Sequence, residues 1–155
     1  MISAGIELAR FFYESYQADA ANDLGKQRIQ ETIHRELMLN AELVGEASEV
    51  VDREPLLAHS LLMQTETEGF AALATAGLPL ARIFSAGWSM DKHPRVTDRS
   101  KFATISRVSE LVERAYHRIR IQQIRSEIGQ EKASASLGYL KILLAKAAQA
   151  TRPEN

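Results

Sequence analysis

The sequence predicts an all-α fold, a helical bundle of four to five mostly antiparallel helices. Apolar residues recur at intervals of three and four almost throughout the chain, and strict alternation over five or more residues is hard to find. Hydrophobic residues make up 45% of the 155 residues and charged residues 25%, which is typical of soluble globular domains and argues against disorder. We therefore expect a set of packed helices.

The size of the chain predicts one domain. A chain of 155 residues buries a sizeable core, so we expect a single domain over residues 1–150 and a frayed tail at residues 151–155. The absence of cysteine excludes disulfides, thiolate zinc sites and a cysteine nucleophile, and it fits a reducing cytoplasm. No run of 18 apolar residues occurs, and Glu7, Arg10 and Glu14 interrupt the apolar amino terminus, so we expect neither a membrane span nor a signal peptide.

The first two helices are predicted from apolar faces that repeat with the helical period. They cover about residues 2–18 and 26–52, with a turn at residues 19–25 between them. The second helix also has an acidic side, here called the acidic stripe, whose four members lie within about 60° of one another: Glu31, Glu42, Glu46 and Glu49. Arg28 and Arg35 interrupt this stripe.

The third helix is predicted to be the centre of the bundle. Pro55 suits the first turn of a helix because proline lacks the amide hydrogen that is unpaired there, and residues 55–76 are apolar on most sides. A helix surrounded by others has this pattern. Gly77 ends the helix, and a short helix at about residues 79–85 and a connector at residues 87–99 follow.

The fourth helix, about residues 98–128, has an apolar side and a basic side. Its basic side, here called the arginine stripe, is formed by four residues that lie within about 40° of one another: Arg107, Arg114, Arg118 and Arg125. We expect these side chains to point away from the apolar side and to be accessible. A fifth helix, about residues 131–150, is rich in small residues that permit close helix approach.

The charges are distributed unevenly along the chain. Residues 92–125 carry nine basic and three acidic side chains, whereas residues 1–91 carry six basic and fourteen acidic ones, although the net charge of the chain is −1. The first segment therefore has a net charge of +6 and the second −8. This uneven distribution of charge indicates what kind of partner the protein could bind, and it does not indicate the fold.

Two arginine–histidine spacings raise a catalytic alternative. Arg28 precedes His34 by six residues, and Arg53 precedes His59 by six. This spacing resembles the motif of the HEPN family of helical ribonucleases, and the resemblance implies an arginine that steadies the scissile phosphate and a histidine that acts as acid or base. Thirteen arginines and four histidines give about one such spacing from composition alone, so a ribonuclease or nucleic-acid binder remains the alternative.

A metal site is a further alternative. Glu31 and His34 match the Glu-x-x-His spacing that places two metal ligands on one face of a helix in di-iron bundles. Such a site needs a second copy of the motif, and the sequence has none. We therefore expect no bound cofactor, and a metal-dependent helical-bundle enzyme ranks below the other hypotheses.

Three further residues are candidates for a site. His59 and Glu66 are seven apart on the predicted third helix among apolar residues, so we expect each to have a hydrogen-bond partner. A small pocket with a raised carboxyl pKa is the alternative for this pair. Trp88 lies on the connector, where it either covers one end of the bundle or anchors a partner.

Together these features predict a non-enzymatic protein-interaction module that engages a protein partner or a second copy of itself. The motivation is two stripes of opposite charge on separate helices, without an assembled catalytic group. The residues predicted to bind the partner are the arginine stripe, Trp88, and Glu42, Glu46 and Glu49 of the acidic stripe. Arg28, His34, His59 and Glu66 are the candidates for catalysis.

Overall fold

The computed structural model describes residues 4–18, 24–90, 102–127 and 133–153. These residues form six helices of eight residues or more, one single-turn helix and no β-strand, so the all-α prediction is confirmed. In chain order the helices are α1 (Ala4–Ala18), α2 (Leu24–Val50), α3 (Pro55–Met63), α4 (Glu68–Thr75), α5 (Leu80–Ile83), α6 (Val108–Glu127) and α7 (Ala133–Ala150). None of the helices described here is both long enough and apolar enough to cross a membrane.

Helix α2 is the centre of the bundle. With 27 residues it is about 40 Å long, and it contacts α1, α3, α4, α5 and α7. Its inner face is buried along most of its length by Ile29, Ile33, Leu37, Asn40, Val44 and Ala47. The prediction that the third helix is central is wrong, because the first turn of α3 contains Leu56 and Leu57, which are 81% and 44% exposed.

The predicted helix over residues 55–76 is two helices, α3 and α4, separated by residues 64–67. The Thr65 hydroxyl donates a hydrogen bond to the Leu62 carbonyl (2.6 Å), and this local bond competes with helix continuation. Asn40 of α2 then holds the backbone of Glu66: its Nδ2 donates to the Glu66 carbonyl (2.7 Å), and the Glu66 amide donates to its Oδ1 (2.8 Å). The break is therefore stabilised by a partner distant in sequence.

Helix α4 ends at Gly77, as predicted. Gly77 has φ = 70°, a left-handed conformation that glycine adopts without the steric cost of a Cβ. Its amide donates to the Ala74 carbonyl (3.1 Å), and the Leu78 amide donates to the Leu73 carbonyl (2.9 Å). These two bonds form a Schellman motif, after which Pro79 precedes the single turn of α5.

Helix α6 begins ten residues later than predicted. The Trp88 amide donates to the Ser106 carbonyl (2.9 Å), and the Val108 amide donates to the Ala86 carbonyl (3.1 Å). Because this pairing keeps the backbone of Arg107 in an isolated antiparallel bridge with Gly87, the helix begins only at Val108. The prediction of one helix over residues 98–128 is therefore wrong at its amino-terminal end; residues 91–101 lie outside the described part.

Helices α1 and α2 approach closely at Gly25. We predicted this glycine to be part of a turn, but it is the second residue of α2 and is buried. A Cβ built on Gly25 would overlap the backbone carbonyl of Ser15 in α1. Only a residue without a side chain fits this crossing.

The packed part of the chain extends past α7 to Thr151. This residue was expected in a frayed tail, yet its side chain is 3% exposed. Its hydroxyl donates to the carbonyl of Ala147 (2.9 Å) or Ala148 (3.2 Å), and it lies 3.1 Å from Nδ1 of His34 in α2. The last turn of α7 is thus joined to α2 by polar contacts.

The close approach at Gly25 predicts the effect of adding one methyl group. Gly25→Ala should lower the free energy of unfolding by about 2 kcal/mol or more, because the new Cβ meets backbone rather than a flexible side chain. The matched control is Gly45→Ala in the same helix, where a Cβ meets nothing within 4 Å. That variant should gain about 0.5–1 kcal/mol from the higher helix propensity of alanine. Chemical denaturation measures both; equal effects at the two positions would contradict the α1–α2 geometry.

Candidate interaction surfaces

The arginine stripe is divided by the late start of α6. Arg114, Arg118 and Arg125 lie on α6, whereas Arg107 precedes the helix. Arg107 and Arg125 are exposed, and Arg114 and Arg118 are half-buried. The four arginines therefore differ in exposure, because part of this side of α6 lies next to α7.

Two of the arginines line an open cleft of about 520 Å³ between α6 and Tyr139 of α7, here called the α6 cleft. The side chains around it are Glu110, Glu113, Arg114, His117, Arg118 and Tyr139. The cleft therefore combines two guanidinium groups, two carboxyl groups, an imidazole and a phenol. Its chemistry favours a charged ligand with a defined orientation.

The Arg118 guanidinium is held by an aromatic ring. Its central carbon lies 5.1 Å from the centroid of the Tyr139 ring, a cation–π contact. Tyr139 in turn packs at 5.8 Å against the ring of Phe102, which is buried. When the flat face of a guanidinium stacks on a ring, the N–H groups around its edge stay available to bind carboxylates or phosphates. The core thus positions one cationic group of the cleft.

Two other charged groups of the cleft, Arg114 and Glu110, have partners in the loop before α6. The Arg114 Nη2 donates to the Thr104 hydroxyl (3.2 Å), and the Ser106 hydroxyl donates to a Glu110 carboxyl oxygen (3.2 Å). Glu110 also lies in the first turn of α6, where a carboxylate interacts favourably with the helix dipole. These contacts restrict both side chains before any partner arrives.

The acidic stripe lies on the outward side of α2. Glu42, Glu46 and Glu49 are exposed, and Glu31 is half-buried. Arg28 and Arg35 are also exposed, and both belong to the amino-terminal half of the helix. Met38 and Leu39, between the two halves, are each 40% exposed. The face therefore carries two arginines and one half-buried glutamate in its first half, two apolar residues in its middle and three glutamates at its end.

A polar cluster around Glu36 was not predicted. Glu36 lies on the inner side of α2, and one of its carboxyl oxygens accepts a hydrogen bond from the Tyr116 hydroxyl of α6 (2.6 Å). The Gly69 amide donates to both carboxyl oxygens (3.1 and 3.0 Å). Since Thr67, the residue before α4, makes no side-chain cap, Glu36 supplies the cap and the negative charge at the start of α4.

Burial dominates the titration of this cluster. It raises the pKa of the Glu36 carboxyl above its ordinary value, although the hydrogen bonds from Tyr116 and Gly69 act in the opposite direction. Burial and the neighbouring Glu36 carboxylate raise the pKa of the Tyr116 hydroxyl, which therefore stays protonated and donates. The Phe70 ring stacks on Tyr116 at 5.0 Å. A glutamate among the apolar positions of α2 was the signal in the sequence that could have indicated this cluster.

Arg28 and His34, the first arginine–histidine pair, do not lie on the same face of α2. Arg28 and His34 lie about 120° apart around α2, and Arg28 is exposed while His34 is half-buried. His34 places its Nδ1 3.1 Å from the Thr151 hydroxyl. Burial lowers the pKa of its ring below the ordinary value of 6.5, and the positive charges of Arg152 and Arg35 act in the same direction. His34 therefore contributes a polar contact between α2 and the end of α7.

The second pair and the predicted His59–Glu66 pair are both divided by helix ends. Arg53 is exposed and precedes α3, whereas His59 is half-buried within it. Glu66 is exposed in the connection between α3 and α4, and its backbone rather than its carboxyl group binds Asn40. The interpretation of His59 and Glu66 as neighbours on one continuous helix is therefore wrong.

The remaining candidates are the metal pair and the tryptophan. Within the described ranges, no group of three or more His, Asp or Glu residues is arranged to hold a metal ion, around Glu31 and His34 or elsewhere. Trp88 is half-buried, packs on the core and has its ring 6.2 Å from that of Phe102. It covers the end of the bundle where α6 begins.

Comparison of the chain with protein-family models, with curated proteins and with solved structures finds no match. Inference about function therefore rests on the geometry described above.

The environment of His34 predicts a pH dependence of stability. Because the folded protein holds the proton on His34 less tightly than the unfolded chain does, the free energy of unfolding should fall as the pH decreases through 6.5. His34→Gln keeps a polar side chain near Thr151 but does not titrate, so its stability should decrease less over the same interval. Urea denaturation at several pH values between about 7.5 and 5.5 measures the difference. Parallel curves for the two proteins would contradict the lowered pKa.

Proposed function

We propose that this chain is a non-enzymatic protein-interaction module that binds an acidic segment of a partner protein in the α6 cleft. The observation that carries the proposal is the Arg118 guanidinium, stacked on Tyr139 at the wall of an open cleft that Arg114 also lines. A cation held in place loses little conformational freedom when a ligand binds, which favours recognition.

The charges around the cleft suit an oriented acidic ligand. Arg114 and Arg118 attract a carboxylate, while Glu110 and Glu113 on the same helix repel one that binds in the wrong place. Complementary charge of this kind contributes to specificity and association rate more than to affinity. Arg125, exposed two turns further along α6, extends the attraction along the helix.

The acidic stripe and Trp88 take secondary parts in the proposal. Glu42, Glu46 and Glu49 offer a surface of opposite sign for a basic segment of a second copy of the chain. Trp88 acts by supporting the bundle end next to the cleft, because its ring packs near Phe102. The lack of cysteine suits a reducing compartment, so the proposal places the module in the cytoplasm.

Charge reversal in the cleft tests the proposal. Affinity capture from the native cells should recover a protein partner with the wild type, and the double variant Arg114→Glu, Arg118→Glu should recover at least about tenfold less, equivalent to about 1.4 kcal/mol. The matched control is Arg120→Glu, an exposed arginine about 160° around α6 from Arg118, which should leave capture unchanged. Circular dichroism checks that all variants are folded.

Two outcomes would contradict this function. If both variants capture the partner as well as the wild type does, the α6 cleft is not the binding site. If the double variant instead loses salt-sensitive retention on single-stranded RNA and no protein partner depends on the cleft, the nucleic-acid hypothesis replaces the proposal.

A further inference from the structure

The outward face of α2 changes sign about its own midpoint. Its exposed arginines, Arg28 and Arg35, both lie in the amino-terminal half, and its exposed glutamates, Glu42, Glu46 and Glu49, all lie in the carboxyl-terminal half. Met38 and Leu39 lie between them and expose 40% of their side chains. An apolar centre flanked by opposite charges is a pattern that can match a second copy of itself.

The spacing of these residues is symmetric. Arg35 and Glu42 are each three and a half residues from the point midway between Met38 and Leu39, which corresponds to about 5 Å along the helix axis. Arg28 and Glu49 are each ten and a half residues from that point, or about 16 Å. The same centre therefore relates two pairs of opposite charge.

A two-fold axis through this centre would bring the charges together. If a second copy of α2 runs antiparallel to the first, Arg35 lies opposite Glu42 of the second copy, and Arg28 lies opposite Glu49. Glu46 falls between the two arginines of the second copy, at the level of the half-buried Glu31, so the two arginines on either side offset this one pair of like charges. Met38 and Leu39 lie at the axis, each next to its own counterpart, where two 40% exposed apolar side chains per copy are removed from water. A parallel pair would instead place arginine against arginine and glutamate against glutamate.

We propose that the chain forms a symmetric homodimer through the outward face of α2, in the antiparallel register that pairs Arg35 with Glu42. The inner face of the same helix is fixed in the bundle core, so the outward face is presented rigidly to the second copy. Such preorganisation reduces the entropy lost on association. The dimer leaves the α6 cleft unused, and the proposal is therefore independent of the function assigned to that cleft.

Charge reversal and charge exchange test the register. Arg35→Glu alone, or Glu42→Arg alone, should weaken dimerisation at least about tenfold, because each change places like charges opposite one another twice per dimer. The double variant Arg35→Glu, Glu42→Arg exchanges the signs and should restore dimerisation to near the wild-type level. Sedimentation velocity over a range of concentrations measures the dissociation constants, with Arg120→Glu of α6 as the control that should dimerise normally.

Three results would overturn the proposal. The first is a wild-type protein that remains monomeric up to about 100 µM, a concentration at which even weak specific interfaces are populated. The second is a double variant that dimerises no better than the single ones. The third is a dimer that is lost in the Arg114→Glu, Arg118→Glu variant but kept in Arg35→Glu, since this result would assign self-association to α6.

Crosslinking tests the position of the axis without changing a charge at the centre. Since the chain has no cysteine, Met38→Cys introduces a single thiol whose counterpart should lie about 2 Å away along the helix axis. A short bifunctional maleimide should join two copies of this variant. Gln27→Cys is the control, because this exposed, uncharged residue lies outside the proposed charge pairs and its two thiols would lie about 35 Å apart along the axis, too far to be joined. Equal crosslinking of the two variants would contradict the antiparallel register.

Discussion

The half-buried carboxylate of Glu36 is the constraint on which the bundle depends. Partial removal of a charged oxygen from water is costly unless hydrogen-bond donors replace the water, and here the donors come from two other helices: the Gly69 amide at the start of α4 and the Tyr116 hydroxyl of α6. One side chain of α2 therefore fixes where α4 begins and which turn of α6 faces it. Apolar packing tolerates some rearrangement, whereas these directional hydrogen bonds restrict the relative placement of the three helices more narrowly.

Because the inner side of α2 is held by hydrogen bonds, the residues on its outward side have fixed positions. One turn after Glu36, Asn40 forms hydrogen bonds with the backbone amide and carbonyl of Glu66. Gln123 of α6 donates to the carbonyl and hydroxyl oxygens of the adjacent Thr65 (2.9 and 3.0 Å). The connection between α3 and α4 is therefore held from two helices at once. Rotation of α2 about its own axis would break these hydrogen bonds. The side chains around Met38 on the opposite side of the helix are therefore held in a fixed direction.

The sequence indicates those features that depend on residues close together in the chain. Periodicity predicts α2 to within two residues at each end and the end of α4 at Gly77, because both follow from local propensity and backbone sterics. It fails at the break before α4 and at the start of α6, where partners distant in sequence decide: Asn40 for the first and the pairing of Trp88 with Ser106 for the second. The arginine stripe was predicted to include Arg107, which the pairing of Trp88 with Ser106 keeps outside the helix. The α6 cleft could not be predicted, because it forms only where α7 packs beside α6.

Native-state hydrogen exchange at Gly69 tests this account most directly. If Glu36 caps α4 from the inner side of α2, the Gly69 amide should exchange as slowly as amides of the core helices in the wild type. In Glu36→Ala it should exchange at least about a hundredfold faster, while amides in the middle of α7 change little. A Gly69 amide that exchanges in the wild type at the rate of an exposed loop would contradict the account, because α4 would then lack the contact said to position it.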